Sequence, residues 1–126
     1  MHRCPFACVI AALLLTSVAT TAHAADVDAG KVVFNRCKIC HTVETGGRHT
    51  LGPNLHGIYN RKAATIEGFQ YSDALKNSGI IWDDETLARY IHDPKDAIPG
   101  NRMAFPGIKN EEEMENLLAY LKEATK

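Results

Sequence analysis

Residues 37–41 read Cys-Lys-Ile-Cys-His, and no other stretch restricts the possible folds as much. Two thiols three positions apart can add to the two vinyl groups of one haem, and the histidine that follows can offer a ring nitrogen to its iron. A chain holding such a group must wrap a flat apolar body. Other uses of the pair fit less well. A structural zinc site takes four ligands, usually from a second pair at similar spacing, and none follows. A redox dithiol sits after a strand in a β-α-β pattern, and no convincing strand is present. A disulfide across two residues would be strained and would close a very short loop.

Residues 1–24 contain Arg3 near the start, an apolar run from about Val9 to Leu15, and Ala22-His23-Ala24. These are the three parts of a cleaved secretory signal, and the run falls short of the roughly 20 residues a spanning helix needs. The expected product is one domain over residues 25–126, too small for a large core of its own side chains. Cys4 and Cys8 leave with the leader. Arg3 is the only charged residue removed, so the formal charge goes from −1 to −2. That balance gives no reason to expect nucleic acid as a partner. No later stretch suits a bilayer, and no repeat or low-complexity linker is visible.

The expected elements are helical. Asp28 can cap a first helix with Gly30, Val33, Phe34 and Cys37 on one face. Asp83 follows Trp82, the one tryptophan, and opens a helix with Leu87, Tyr90 and Ile91 on one side, ended by Pro94. Asn110 precedes three glutamates, then Met114, Leu117, Leu118 and Leu121 at helical spacing. A short helix from Ser72 to about Asn77 closes at Gly79. The long Gly- and Pro-rich connections would leave such helices a poor core. A flat apolar cofactor resolves that difficulty.

His41 fills one axial position of such an iron, and the candidates for the other are Met103, Met114, His49, His56 and His92. Met114 shares the apolar face of the last helix and reads as core. His49 and His56 lie in a Gly-rich region where histidines more often bond the backbone. Met103 lies in the loop Ile98-Pro99-Gly100-Asn101-Arg102-Met103-Ala104-Phe105-Pro106-Gly107, which no helical face claims and which restricted residues stiffen.

Cys37 to His41, Gly52-Pro53-Asn54-Leu55-His56-Gly57, Gly68-Phe69 with Tyr71-Ser72-Asp73-Ala74, Gly79-Ile80-Ile81-Trp82, and Pro99-Gly100 before Met103 together resemble class I c-type cytochromes. The resemblance is to the mitochondrial cytochrome c and bacterial cytochrome c2 group, and spans residues 25–126. It implies an all-α cytochrome c fold, about five helices around one haem c attached through Cys37 and Cys40. It implies that the first and last helices cross near Gly30 and the Leu117 to Tyr120 turn. By the family's motif His41 and Met103 ligate the iron, the Pro53 carbonyl supports the His41 ring, and Arg61, Tyr71 and Trp82 lie near the propionates.

The function so implied is a soluble periplasmic electron carrier, not an enzyme, working as a monomer without stable membrane insertion. Its donor would be a quinol-cytochrome c reductase or a periplasmic dehydrogenase, its acceptor a cytochrome oxidase, a peroxidase or a photosynthetic reaction centre. A haem peroxidase or gas sensor with a labile sixth ligand is the alternative, and a thiol-disulfide oxidoreductase a third. In the family a lysine ring surrounds the exposed haem edge. Here Arg36, Lys38, Lys95, Arg102 and Lys109 would form it, with Asp83, Asp84, Glu85 and the acids of 111–115 elsewhere. Two positions depart from the family pattern: Leu75 stands where many relatives have asparagine in a buried polar network, and Asn101 replaces a threonine near the propionates.

Overall fold

The computed structural model describes residues 23–126, and the expected leader lies outside them apart from its last two residues. Five helices are described: α1 (Val27–Phe34), α2 (Asp73–Asn77), α3 (Asp84–His92), α4 (Pro94–Ala97) and α5 (Glu111–Ala124). Each begins at a residue whose side chain accepts a backbone N–H of the first turn: Asp26, Ser72, Asp83, Asp93 and Asn110. Those amides have no carbonyl partner within the helix, so a short polar side chain just ahead of them sets the start. No named strand occurs among the described residues, only an isolated antiparallel bridge between Lys62 and Ile81.

Two expectations need correction. The cap of α1 is Asp26, and Asp28 lies inside the first turn, where its charge still favours the positive end of the helix. The Asp26 N–H bonds Asn116 Oδ1 at 2.7 Å, so a contact with the other end of the chain fixes where α1 begins. Pro94 does stop α3, but it also starts α4. At a first helical position a missing N–H costs nothing, and Asp93 is both the last cap of α3 and the first cap of α4.

α1 packs across α5 at Gly30. A Cβ there would lie 1.9 Å from the Asn116 carbonyl oxygen and 2.8 Å from Tyr120 Cβ, a close approach open only to glycine. Around the crossing Val33, Phe34, Met114, Leu117 and Leu121 bury together with Ile108 from the loop before α5. A second apolar cluster, Ala63, Trp82, Leu87 and Ile98, forms under α3 and α4. Tyr59, Ile91 and Leu118 touch both clusters while only partly buried. The loop ahead of α2 closes onto α5 through Gly57 N–H to the Thr125 carbonyl at 2.6 Å and the Tyr59 hydroxyl to the Leu118 carbonyl at 3.2 Å.

Candidate functional site

The segment after α1 stays coiled. Cys37 and Lys38 N–H both reach the Phe34 carbonyl, and Cys40 and His41 N–H both reach the Cys37 carbonyl. This turn sets Cys37, Cys40 and His41 on one side, because residues three and four apart in a coil are neighbours. The two cysteines are not joined in a disulfide. Burial pushes the Cys37 thiol up to about 11, the Arg36 charge opposing and Cys40 adding. A nucleophilic dithiol needs a thiol pKa lowered by its surroundings, so this environment disfavours exchange chemistry.

A loop from the next segment is stitched to that turn. Gly52 N–H and the Thr50 hydroxyl both donate to the Cys40 carbonyl, at 2.8 and 2.6 Å. The His41 ring then lies flush against Gly52: a Cβ there would sit 2.4 Å from His41 Cε1 and 2.8 Å from Nε2. His41 Nδ1 is 2.8 Å from the Pro53 carbonyl. A carbonyl can only accept, so Nδ1 carries the proton and Nε2 keeps its lone pair. Burial also lowers the His41 pKa, with the Pro53 bond opposing. The ring is thus held neutral with a directed Nε2 donor, the state in which imidazole binds a metal.

Two thiols, an oriented imidazole, a glycine cradle and flanking apolar clusters fit a covalently attached haem. Of the five candidates for its second ligand, Met114 is buried in the α1–α5 core. His49 uses both ring nitrogens, Nε2 donating to the Glu67 carbonyl at 2.9 Å and Nδ1 accepting from Asn54 N–H at 2.9 Å. His56 Nε2 faces the Thr45 hydroxyl at 3.3 Å, and His92 is exposed at the end of α3. Met103 is partly buried in the loop between α4 and α5, its N–H donating to Asn101 Oδ1 at 2.9 Å.

Trp82 and Arg61 are brought together by backbone bonds, Trp82 N–H to the Arg61 carbonyl at 3.0 Å and Asn60 N–H to the Trp82 carbonyl at 2.8 Å. The Arg61 guanidinium donates to the His56 carbonyl. Its charge also reaches Tyr71, where it opposes the upward pull of burial on the phenol together with the Ile66 backbone. Leu75 packs against the second apolar cluster. Sequence reasoning missed Asn54, which is buried and bonds Thr42 Oγ1, the Glu44 carbonyl and His56 N–H. It missed Asn116 as well; the Gly52 to Gly57 motif was the signal that could have found Asn54, and no residue pattern distinguishes Asn116 from a surface asparagine.

The expected basic ring is weaker than its residue list suggests. Arg36 pairs with Glu113, and Lys109 pairs with Asp93 at 3.3 Å while donating to the His92 carbonyl. Acids of the 111–115 run therefore do not all lie away from the ring, because α5 starts beside the Cys37 turn. Arg102 donates to the Gln70 carbonyl and keeps its charge. Lys38, Lys95 and Arg102 make no ion pair among the described residues. No helix among those residues is long and apolar enough to cross a membrane.

The family described as Cytochrome c matches residues 27–125. Cytochrome c2 of Blastochloris viridis is 47% identical over 111 residues, 88% of this chain and 87% of that protein. Cytochrome c2 of Rhodoblastus acidophilus is 49% identical over 98 residues, 78% of this chain and 92% of that one. Cytochrome c of Nigella damascena is 45% identical over 105 residues, 82% and 95% of the two chains. The chain belongs to the class I cytochrome c family and has its all-α fold. One covalently attached haem c is the cofactor of that family, and Cys37 and Cys40 stand at its attachment spacing.

Proposed function

We propose that this cytochrome c family member is a periplasmic one-electron carrier with His41 and Met103 as the axial ligands of its haem. The observation that carries the reading is the His41 ring, fixed between Gly52 and the Pro53 carbonyl beside the two thiols. Haem, when bound, supplies a one-electron couple. The chain supplies everything that keeps the couple fast and specific. Cys37 and Cys40 would tether the group, and the neutral His41 Nε2 and the Met103 thioether would hold its iron. A thioether is a soft neutral donor that favours the ferrous state, and a Met/His pair raises the potential in cytochromes c generally.

Two side-chain ligands on stitched loops would leave the iron no open position for a substrate, which favours a carrier over a peroxidase or sensor. Pro53 orients the His41 ring, while Arg61, Tyr71 and Trp82 would lie near the propionates. Cleavage after Ala24 and release to the periplasm complete the reading. Donor and acceptor are a quinol-cytochrome c reductase or dehydrogenase and an oxidase, peroxidase or reaction centre. They would dock through Lys38, Lys95 and Arg102, which make no ion pair among the described residues. Potentiometric titration of the haem protein recovered from a periplasmic extract tests this. The expected result is a reversible one-electron couple with negligible turnover of hydrogen peroxide. Sustained peroxide turnover, or recovery of the protein only in the cytoplasm with residues 1–24 intact, would overturn it.

A further inference from the structure

The loop that carries Met103 is secured from both sides, and the two sides are built differently. Downstream, backbone packing does it. Ile108 is buried and its N–H reaches the Ile91 carbonyl at 3.1 Å, while a Cβ at Gly107, whose φ is +99°, would lie 2.1 Å from the His92 carbonyl oxygen. Upstream, beside the Asn101 N–H bond to the Ile98 carbonyl at 3.1 Å and the Arg102 bond to the Gln70 carbonyl at 3.0 Å, four hydrogen bonds come from one side chain. Asn101 Nδ2 donates to the Pro94 carbonyl at 2.6 Å and to the Ile98 carbonyl at 2.8 Å. Its Oδ1 accepts the Met103 N–H at 2.9 Å and the Tyr90 hydroxyl at 3.3 Å.

A carboxamide has two N–H donors and two acceptor lone pairs, so every one is used. The orientation is also determined, because a flip would set Nδ2 against an N–H donor and Oδ1 against two carbonyls. The four partners come from α3, from α4 and its cap, and from Met103 itself. Leu75, packed in the same cluster as Tyr90, has no side-chain polar atom to offer that hydroxyl. Tyr90 stays a neutral donor, its pKa pushed up to about 12 by burial.

We infer that Asn101 is the positioning residue for the iron's Met103 ligand, its carboxamide tying the Met103 amide to α3 and α4 so that the loop rarely swings away. This inference rests on Met103 being the sixth ligand. Replacing Asn101 frees the Met103 amide and takes one of two partners from each of the Pro94 and Ile98 carbonyls, which keep the Ile98 and Asn101 N–H, respectively, at 3.1 Å, so the loop opens more often and an outside ligand competes better for the iron.

The test titrates imidazole into the ferric holoprotein at fixed pH, following the visible spectrum, in wild type and in Asn101→Ala, Asn101→Thr, Asn116→Ala and Met103→Ala. Asn101→Ala should bind imidazole about tenfold more tightly, equivalent to about 1.4 kcal/mol. Asn101→Thr, whose hydroxyl can replace only part of the set, should fall between it and wild type. Asn116→Ala removes a buried amide that bonds the start of α1 and makes no hydrogen bond to the loop, so it should lower stability with wild-type imidazole affinity. Met103→Ala should bind most tightly of all. If it does so while both Asn101 variants bind like wild type, the positioning role is wrong. If Asn116→Ala shifts as far as Asn101→Ala, the effect is general loosening and the inference also fails. If Met103→Ala matches wild type, the ligand assignment beneath it has failed instead. Should Asn101→Ala yield no holoprotein, Asn101→Thr against Asn116→Ala decides.

Discussion

Gly30→Ala is the sharpest structural perturbation the fold offers. On an isolated helix the change would gain about 1 kcal/mol. Here the new methyl would sit 1.9 Å from the Asn116 carbonyl oxygen and 2.8 Å from Tyr120 Cβ. Ordinary contact lies near 3.5 Å, and neither neighbour is the tip of a flexible side chain, so α1 and α5 must move apart. Overpacking of this kind costs roughly 1–3 kcal/mol. Separation also strains the Asp26 to Asn116 bond of 2.7 Å, worth about 1 kcal/mol. Re-exposing two methylene equivalents from Val33, Phe34, Leu117 and Leu121 adds about 1.6 kcal/mol.

After the helix gain is subtracted, a loss of about 3.6 kcal/mol remains. For a domain of this size that corresponds to a fall in Tm of roughly 15 °C. Thermal and guanidinium unfolding of the ferric holoprotein read it directly. Gly46→Ala is the comparator: its φ is +71° but nothing lies within 4 Å of the new methyl, so it should cost only the left-handed strain of about 1–2 kcal/mol. Equal or smaller loss in Gly30→Ala than in Gly46→Ala would refute the close-crossing argument.

Ala64 holds φ at +61°, so Ala64→Gly should raise the unfolding free energy by about 0.5 kcal/mol, read as a higher denaturant midpoint, the relieved strain exceeding the added chain entropy; a lower midpoint would contradict this. Asp83 lies below its ordinary 3.8 because it accepts the Thr86 amide, and Asp93 likewise because it accepts the Asp96 amide and then pairs with Lys109. A carboxyl with a depressed folded pKa stabilises above its unfolded value and loses that contribution as pH falls through the folded one. Tm should therefore fall on acidification below about pH 4, and Asp83→Asn, which still caps, should flatten the fall; an unchanged profile refutes the assignment. Oxidation of the ferrous protein by ferricyanide should slow as salt rises, and Lys38→Glu should slow it more than Arg36→Glu, because Arg36 already pairs with Glu113. A rate indifferent to salt would remove the basic docking face.

The helices were legible where local chemistry decides them. Ser72, Asp83 and Asn110 cap where a polar residue precedes a periodic run, and Met114, Leu117 and Leu121 bury as their spacing requires. Asp26 and Asp28 are alike locally, and only the distant Asn116 chooses between them. Pro94 marks a break equally well whether the chain leaves helix or restarts it. The attachment spacing of Cys37 and Cys40 was legible because that spacing is itself the chemistry; Met103 stood out because no helix claims it, and its place at the iron belongs to the proposal. The hydrogen-bonding roles of Asn54, Asn101 and Asn116 were not legible, although Asn54 lies in the Gly52 to Gly57 motif and Asn101 stood out as a departure from the family pattern. Each draws its importance from carbonyls and amides that only the folded chain assembles. The pairing of Arg36 with Glu113 depends likewise on where α5 starts in space.

The visible spectrum of the secreted protein, oxidised and reduced, tests the central claim most directly. The account predicts haem bands with the weak long-wavelength band of ferric iron bound to a thioether, a band that Met103→Ala abolishes while the remaining haem spectrum persists. Haem bands without that feature in the unsubstituted protein, or a band that survives Met103→Ala, would contradict it.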